Sequence, residues 1–280
     1  MGHLDECPLC SSPESKPVSG DRQDLRTCRS CGAVFNAAHR LPSYDERYFV
    51  DDYQSQYGRT YAEDEPAIRA LASRRLAVIF RMMRDGLPRS SLRLLDIGSA
   101  MGFFLKEARD QGIGRVEGVE ISSYAADYCR TALRIPVQES SFENAAFQQQ
   151  YDIITGWYFI EHCLDPGPVL KKIFSLLVPG GVLAMATPSV FGPLYRFDRR
   201  GWCAGHPGDH RVDFSPRTMR SFLARYGFRH IRIMASGIHP ERIFNPRKPW
   251  FRPLSGVYAF LSSHTAFSDT MEVFARKSEN

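Results

Sequence analysis

The sequence predicts an α/β protein with a doubly wound, mainly parallel sheet, preceded by a small metal-held unit. Three observations carry that prediction. Between residues 92 and 189, short apolar runs alternate with amphipathic stretches of helical period. The first of these runs passes through a glycine-bearing turn into a helix, "LRLLDIGSAMGFFLKEA" (92–108), the usual place for a nucleotide-like ligand. Four of the seven cysteines fall within the first 31 residues.

Taken in order, residues 1–40 form a separate unit. "CPLC" and "CRSCG" are two C-x-x-C knuckles separated by seventeen residues. At that spacing Cys7, Cys10, Cys28 and Cys31 offer tetrahedral sulfur ligation to one structural Zn²⁺, and Gly32 suits the turn under the second knuckle. A redox role would need a thioredoxin-like βαβ setting, which this polar stretch lacks. Cys129, Cys163 and Cys203 are scattered and read as small buried residues.

Residues 41–280 then form the main domain. The stretch 44–87 reads as a helical cap: Tyr53, Tyr57 and Tyr61 recur every four residues after Tyr44, Tyr48 and Phe49, giving one aromatic side. Pro66 opens a second helix that Gly86 stops. Strands follow at 92–98, 115–122, 135–140, 151–159 and 182–189, with helices between them and a Pro-Gly-Gly turn at 179–181. An irregular segment, 188–213, interrupts the alternation. A helix (215–227) and a strand (228–236) come next. A Pro- and aromatic-rich stretch (238–268) precedes a last strand, "TMEVFARK" (270–277).

Composition narrows the function. The net charge of +5 and pI of 8.8 come from scattered Lys and Arg, a solvated surface rather than a nucleic-acid footprint. No apolar stretch reaches membrane-spanning length and the first ten residues have no signal-peptide core, so a soluble cytoplasmic protein is expected.

The glycine turn limits the ligand. No Gly-Lys-Ser/Thr follows, as a phosphate-binding P-loop requires. A G-x-G-x-x-G dinucleotide fingerprint counted from Gly98 would need glycines where Ala100 and Phe103 stand. What exists is Asp96-x-Gly98-x-x-x-Gly102. A carboxylate there would repel a pyrophosphate, which bare amides at a helix N-terminus welcome. It would favour a ligand carrying an ammonium and a sulfonium, such as S-adenosylmethionine (SAM). Glu120, 22 residues after Gly98 at the end of the second strand, is placed to accept hydrogen bonds from ribose hydroxyls.

Here the chain resembles the class I SAM-dependent methyltransferases. The residues that carry the resemblance are "DIGSAMG" (96–102), "YDIITGWYFIEHCLDP" (151–166) and "LLVPGGVLAMATPS" (176–189), with "FSPRTMRSFLARYGF" (214–228) after them. The departure is Ala100, where many members have glycine. The resemblance implies a Rossmann-like seven-stranded sheet, mostly parallel with an antiparallel last strand. It also implies that Asp96, Gly98, Ser99, Ala100 and Gly102 hold the methionine end of SAM. Glu120 and Ile121 would take the ribose side, Ser141 and Phe142 the adenine, and Gly156 and Trp157 the methionine side. Trp157 reads equally as a core residue. Tyr57 and Tyr61 read first as part of a core-facing stripe, with a lid over SAM as the lesser alternative.

Transfer to an alcohol also needs a base. Glu161 and His162 follow the fourth strand, and His206, Asp209 and His210 lie in "GWCAGHPGDHR". His162, His206 and His210 are the catalytic candidates, and 188–213 is the expected substrate lid, with Tyr195 and Trp202 as an aromatic wall. No N-P-P-Y follows the fourth strand, which argues against DNA-adenine and glutamine acceptors. The favoured reading is methylation, O-methylation first, of a small-molecule acceptor: a sugar, a lipid-linked molecule or a secondary metabolite. A four-cysteine unit ahead of this fold also resembles sugar-nucleotide C-methyltransferases, whose large C-terminal domain is not found in these 280 residues. The alternatives are an RNA methyltransferase using the ribbon to bind RNA, and a non-catalytic SAM-binding scaffold. The chain is expected to be a monomer, or a homodimer formed through 238–268.

Overall fold

The computed structural model describes residues 5–40, 53–83, 86–237, 240–242 and 244–279. By packing, the chain divides into two compact units. One comprises 1–41, 158–170 and 185–274; the other comprises 42–157, 171–184 and 275–280.

The cysteine-rich segment folds as three short strands, β1 (Ser15–Ser19), β2 (Arg22–Cys28) and β3 (Val34–Asn36). So short a segment has little core of its own; Leu9, Leu25, Ala33, Val34 and Phe35 are among its buried apolar residues. Of the expected helical cap, α1 (Tyr53–Tyr57) and α2 (Glu65–Met82) are present. Pro66 stands in the first turn of α2, where its missing N–H costs nothing. Tyr44, Tyr48 and Phe49 lie outside the described residues, as does the side chain of Tyr57.

The alternating region follows the sequence closely. β4 (Arg93–Ile97) leads to α3 (Phe103–Asp110), β5 (Arg115–Glu120) to α4 (Ser123–Thr131), and β6 (Val137–Glu139) to β7 (Tyr151–Trp157). α5 (Pro166–Leu176) precedes β8 (Leu177–Pro188). The Pro-Gly-Gly expected as a turn lies within β8, whose Gly180 has φ +77°; the strand bends there instead of ending. The segment 188–213 is less irregular than expected. It holds α6 (Pro193–Phe197), α7 (Arg199–Ala204) and the two-residue β9 (Val212–Asp213). α8 (Pro216–Arg225) is closed at its start by a reciprocal Ser215–Thr218 capping box. After β10 (Phe228–Ser236) comes α9 (Phe251–Thr265), where the sequence showed only a Pro- and aromatic-rich stretch. Pro253 sits in its first turn, where proline is tolerated. β11 (Thr270–Lys277) matches its expected bounds.

The main sheet has the order β10-β11-β8-β7-β4-β5-β6, mostly parallel with an antiparallel last strand. β4 pairs in parallel with β5 and β7, so Asp96 stands opposite Gly118 on one side and Thr155 on the other. A second sheet, β1-β2-β3-β9, joins the cysteine-rich strands to β9. Among the described residues, no helix is long and apolar enough to cross a membrane.

Candidate active site and cysteine centre

The turn after β4 is built by its backbone. Gly98 has φ +67° and Gly102 φ +76°, a region where a Cβ meets the following carbonyl. A Cβ added to Gly98 would meet no atom within 4 Å, so the chain leaves open space there, whereas one on Gly102 would lie 2.7 Å from Cys129 Sγ. The first glycine leaves room for a ligand and the second lets α3 approach α4. Ala100 adopts φ +47°, a left-handed conformation that glycine takes more readily than alanine.

Glu120 fastens this turn. Ala100 N donates to its Oε2 at 2.8 Å and Ser122 N to its Oε1 at 2.9 Å. The carboxylate therefore holds the glycine turn and the start of α4 together at the tip of β5. Burial raises its pKa while the backbone donors oppose the rise. Each oxygen keeps a lone pair for a further donor. Ile121, beside it, is exposed.

Asp96 lies deeper than its motif suggests. It is 1% exposed, and Thr155 Oγ1 donates to its Oδ1 at 2.6 Å. Burial raises its pKa to about 7, against the opposing pull of that hydroxyl and of the Arg75 charge. Arg75 is itself buried and lies over the Trp157 ring, 4.0 Å from its centre. Trp157 also packs on Phe104, with centroids 5.1 Å apart, and Gly156 is buried beside it. Tyr61 stacks on Phe103 at 5.7 Å, immediately after Gly102. Ser99 is buried and Ser141 half-buried. Phe142 is also buried, against Phe147 and the Lys172 ammonium.

Sequence reasoning missed Arg75 and Thr155. Arg75 left a trace, because it falls on the buried stripe of α2 with Ala72, Leu76 and Ile79. Thr155 left none; it is the parallel register that brings it to Asp96.

The three histidines are gathered in the other unit. His162 Nδ1 donates to Asp209 O at 3.1 Å and lies 3.2 Å from Asp209 Oδ2. Burial would raise the Asp209 pKa, yet the bond from His162 holds it at about 2. His206 Nε2 lies 2.8 Å from Asp213 Oδ2, with both side chains almost fully buried. His210 Nδ1 lies 3.7 Å from Asp213 Oδ1, and although burial opposes it, Asp213 raises the His210 pKa. His206 is thus an enclosed partner of Asp213, against Trp202 at 4.9 Å, whereas His162 and His210 keep part of their surface. Just before β9, Arg211 ties the cysteine-rich unit to the turn after β7: its Nη1 donates to Asn36 O at 2.6 Å and its N to Glu161 O at 2.7 Å.

Cys7, Cys10, Cys28 and Cys31 have their sulfurs within 4.8 Å of one another. Cys7 and Cys31 Sγ are 3.5 Å apart, and Cys10 and Cys28 Sγ 3.6 Å. Tetrahedral zinc with bonds of about 2.3 Å would set its sulfurs slightly farther apart than this, so the donor set and spacing fit that ion.

Among known proteins, the family described as a methyltransferase domain matches residues 63–233. A ubiquinone biosynthesis O-methyltransferase from Caulobacter sp. (strain K31) is 30% identical over 159 residues, covering 51% of this chain and 63% of that protein. One of the same name from Bordetella avium (strain 197N) is 30% identical over 105 residues, covering 34% and 42%. The matches thus span about half the length of these relatives. A SAM-dependent methyltransferase from Archaeoglobus fulgidus superposes with a TM-score of 0.56 at 18% identity, over 83% of this chain and 100% of that one. One from Thermotoga maritima gives 0.54 at 16% identity, over 83% and 100%. At such identities these structures speak to the fold.

Proposed function

The chain belongs to the methyltransferase-domain family and is a SAM-dependent methyltransferase, and from that premise we propose that it methylates an oxygen of a small-molecule acceptor. Support for the oxygen comes from the O-methyltransferase names of the curated relatives. The observation that carries the donor site is Glu120, whose two oxygens hold Ala100 N and Ser122 N beside the open space at Gly98.

In this reading Gly98, Ser99, Ala100 and Gly102 enclose the methionine end, with Asp96 behind them as the countercharge. Glu120 accepts from the ribose hydroxyls, and Ile121 covers the sugar and base. Ser141 borders the adenine with Phe142 packed beneath it, and Gly156 and Trp157 close the methionine side. When bound, SAM supplies a methyl group already activated on a sulfonium. The protein must then align the acceptor, exclude water and take one proton. His162 and His210 are better suited to that proton than His206, whose side chain is 1% exposed. The four cysteines hold a structural Zn²⁺.

The test is a cell extract incubated with the protein and methyl-labelled SAM, followed by mass spectrometry of the labelled species. Label in a small molecule, lost with Glu120→Ala, is expected. Label recovered only in RNA or protein would overturn the acceptor class.

A further inference from the structure

The feature left unexplained by the donor site and the cysteine centre is a buried carboxylate. Glu161 lies four residues beyond β7 and is 0% exposed. Neither of its oxygens makes a hydrogen bond, and neither does the buried Thr187 hydroxyl. Such a group costs several kcal/mol unless something compensates it.

Two imidazoles face it. One ring nitrogen each of His162 and His210 and one Glu161 oxygen lie within 4.8 Å of one another. The two rings meet edge to face, with centroids 4.9 Å apart. Behind each imidazole stands an acid: Asp209 at His162 Nδ1 and Asp213 at His210 Nδ1, 3.2 and 3.7 Å away. Asp213 is fixed in turn by His206. Outer carboxylates of this kind set the tautomer of a metal-binding histidine and leave Nε2 for the ion. The histidine side chains are 17% and 14% exposed, so the cluster is sheltered without being sealed. The pair His206–Asp213 is instead closed to solvent, with His206 Nε2 against Asp213 Oδ2 and His206 Nδ1 making no hydrogen bond.

We propose that Glu161, His162 and His210 form a second metal site, distinct from the four cysteines, that binds a divalent transition ion. Two imidazoles and one carboxylate suit Zn²⁺, Fe²⁺, Co²⁺ or Mn²⁺ better than an all-oxygen ion such as Ca²⁺. Three protein ligands leave a coordination position for an oxygen from water, a hydroxyl or a carboxylate, the arrangement of sites that act on a ligand rather than brace a fold. The ion neutralises Glu161 and explains the two acids behind the rings. With the ion bound, His162 and His210 serve as ligands in place of the proton-accepting role given to them above, and the binding itself does not depend on the methyl-transfer reading.

The experiment uses the full chain, stripped of metal and titrated with Co²⁺ under reducing conditions. The expected result is two equivalents. One brings sulfur-to-cobalt charge-transfer bands from the cysteine centre, and the other brings weak visible bands alone. Glu161→Gln and, separately, His162→Gln should abolish the second equivalent or weaken it at least about 30-fold. Asp209→Asn should weaken it about tenfold or more. The charge-transfer bands, measured on the same sample, report that the unit is still folded. Only one equivalent in the unaltered chain, or a second equivalent indifferent to both Glu161→Gln and His162→Gln, overturns the proposal.

Discussion

Replacing Asp96 by asparagine should make the ligand-free protein more stable at pH 8 while weakening its hold on SAM. Asp96 is buried, and its pKa stands at about 7 against an ordinary 3.8. The folded chain therefore keeps this proton up to about pH 7, while the unfolded chain releases it near pH 4. Over that window the native state binds more protons, so Asp96 lowers stability as pH rises, and the full penalty holds above pH 7. A rise of that size corresponds to about 4 kcal/mol. Asparagine keeps an acceptor for Thr155 Oγ1 and removes the charge. Urea denaturation from pH 4 to pH 8 measures the difference between variant and parent. That difference should be near zero at pH 4, grow through the window and level off above pH 7. Calorimetry with S-adenosylhomocysteine and SAM at pH 8 should show the larger loss for SAM, because only SAM carries the sulfonium. A variant no more stable at pH 8, or a difference independent of pH, would refute the claim that burial dominates the Asp96 environment.

Glu120→Ala removes the acceptor for two backbone donors, and should cost about 1–3 kcal/mol and abolish measurable SAM binding; unchanged affinity by calorimetry would exclude Glu120 from the donor site. Ala100→Gly relieves φ +47° and should shift stability by no more than about 1 kcal/mol, with SAM binding retained. Gly102→Ala, which sets a Cβ 2.7 Å from Cys129 Sγ, should be the more damaging, by about 1–3 kcal/mol in thermal or urea melts. Chelation of the cysteine centre, or Cys28→Ser, should lower stability and perturb the imidazole resonances of His206 and His210 in NMR spectra. β3 and β9 pair through Val34–Asp213 and Phe35–Val212, next to both histidines. Unmoved resonances would show that β9 holds its place without the ribbon.

Much of the proposed donor site was legible in the sequence, because its chemistry is local. Asp96, Gly98, Gly102 and Glu120 are set by a strand, a turn and the tip of the next strand, and the order of residues shows each. Ala100 was legible as a departure, and only its φ supplies the reason. α9 was not legible: it holds Pro253 and Gly256, two of the poorest helix formers. The structure nevertheless forms one there and buries its Tyr258 against Phe267, with centroids 5.9 Å apart, while Trp250 and Phe260 stay exposed.

By itself, the sequence determined the alternation of strands and helices, the glycine turn with its two carboxylates, and the two cysteine knuckles. These follow from periodicity, turn chemistry and ligand spacing, which act over a few residues. The tertiary structure alone decided that Thr155 and Arg75 attend Asp96, that β9 joins the ribbon's sheet, and that the buried Glu161 faces two imidazoles. Those contacts join residues far apart in the chain, and strand register and packing, which no local pattern encodes, bring them together.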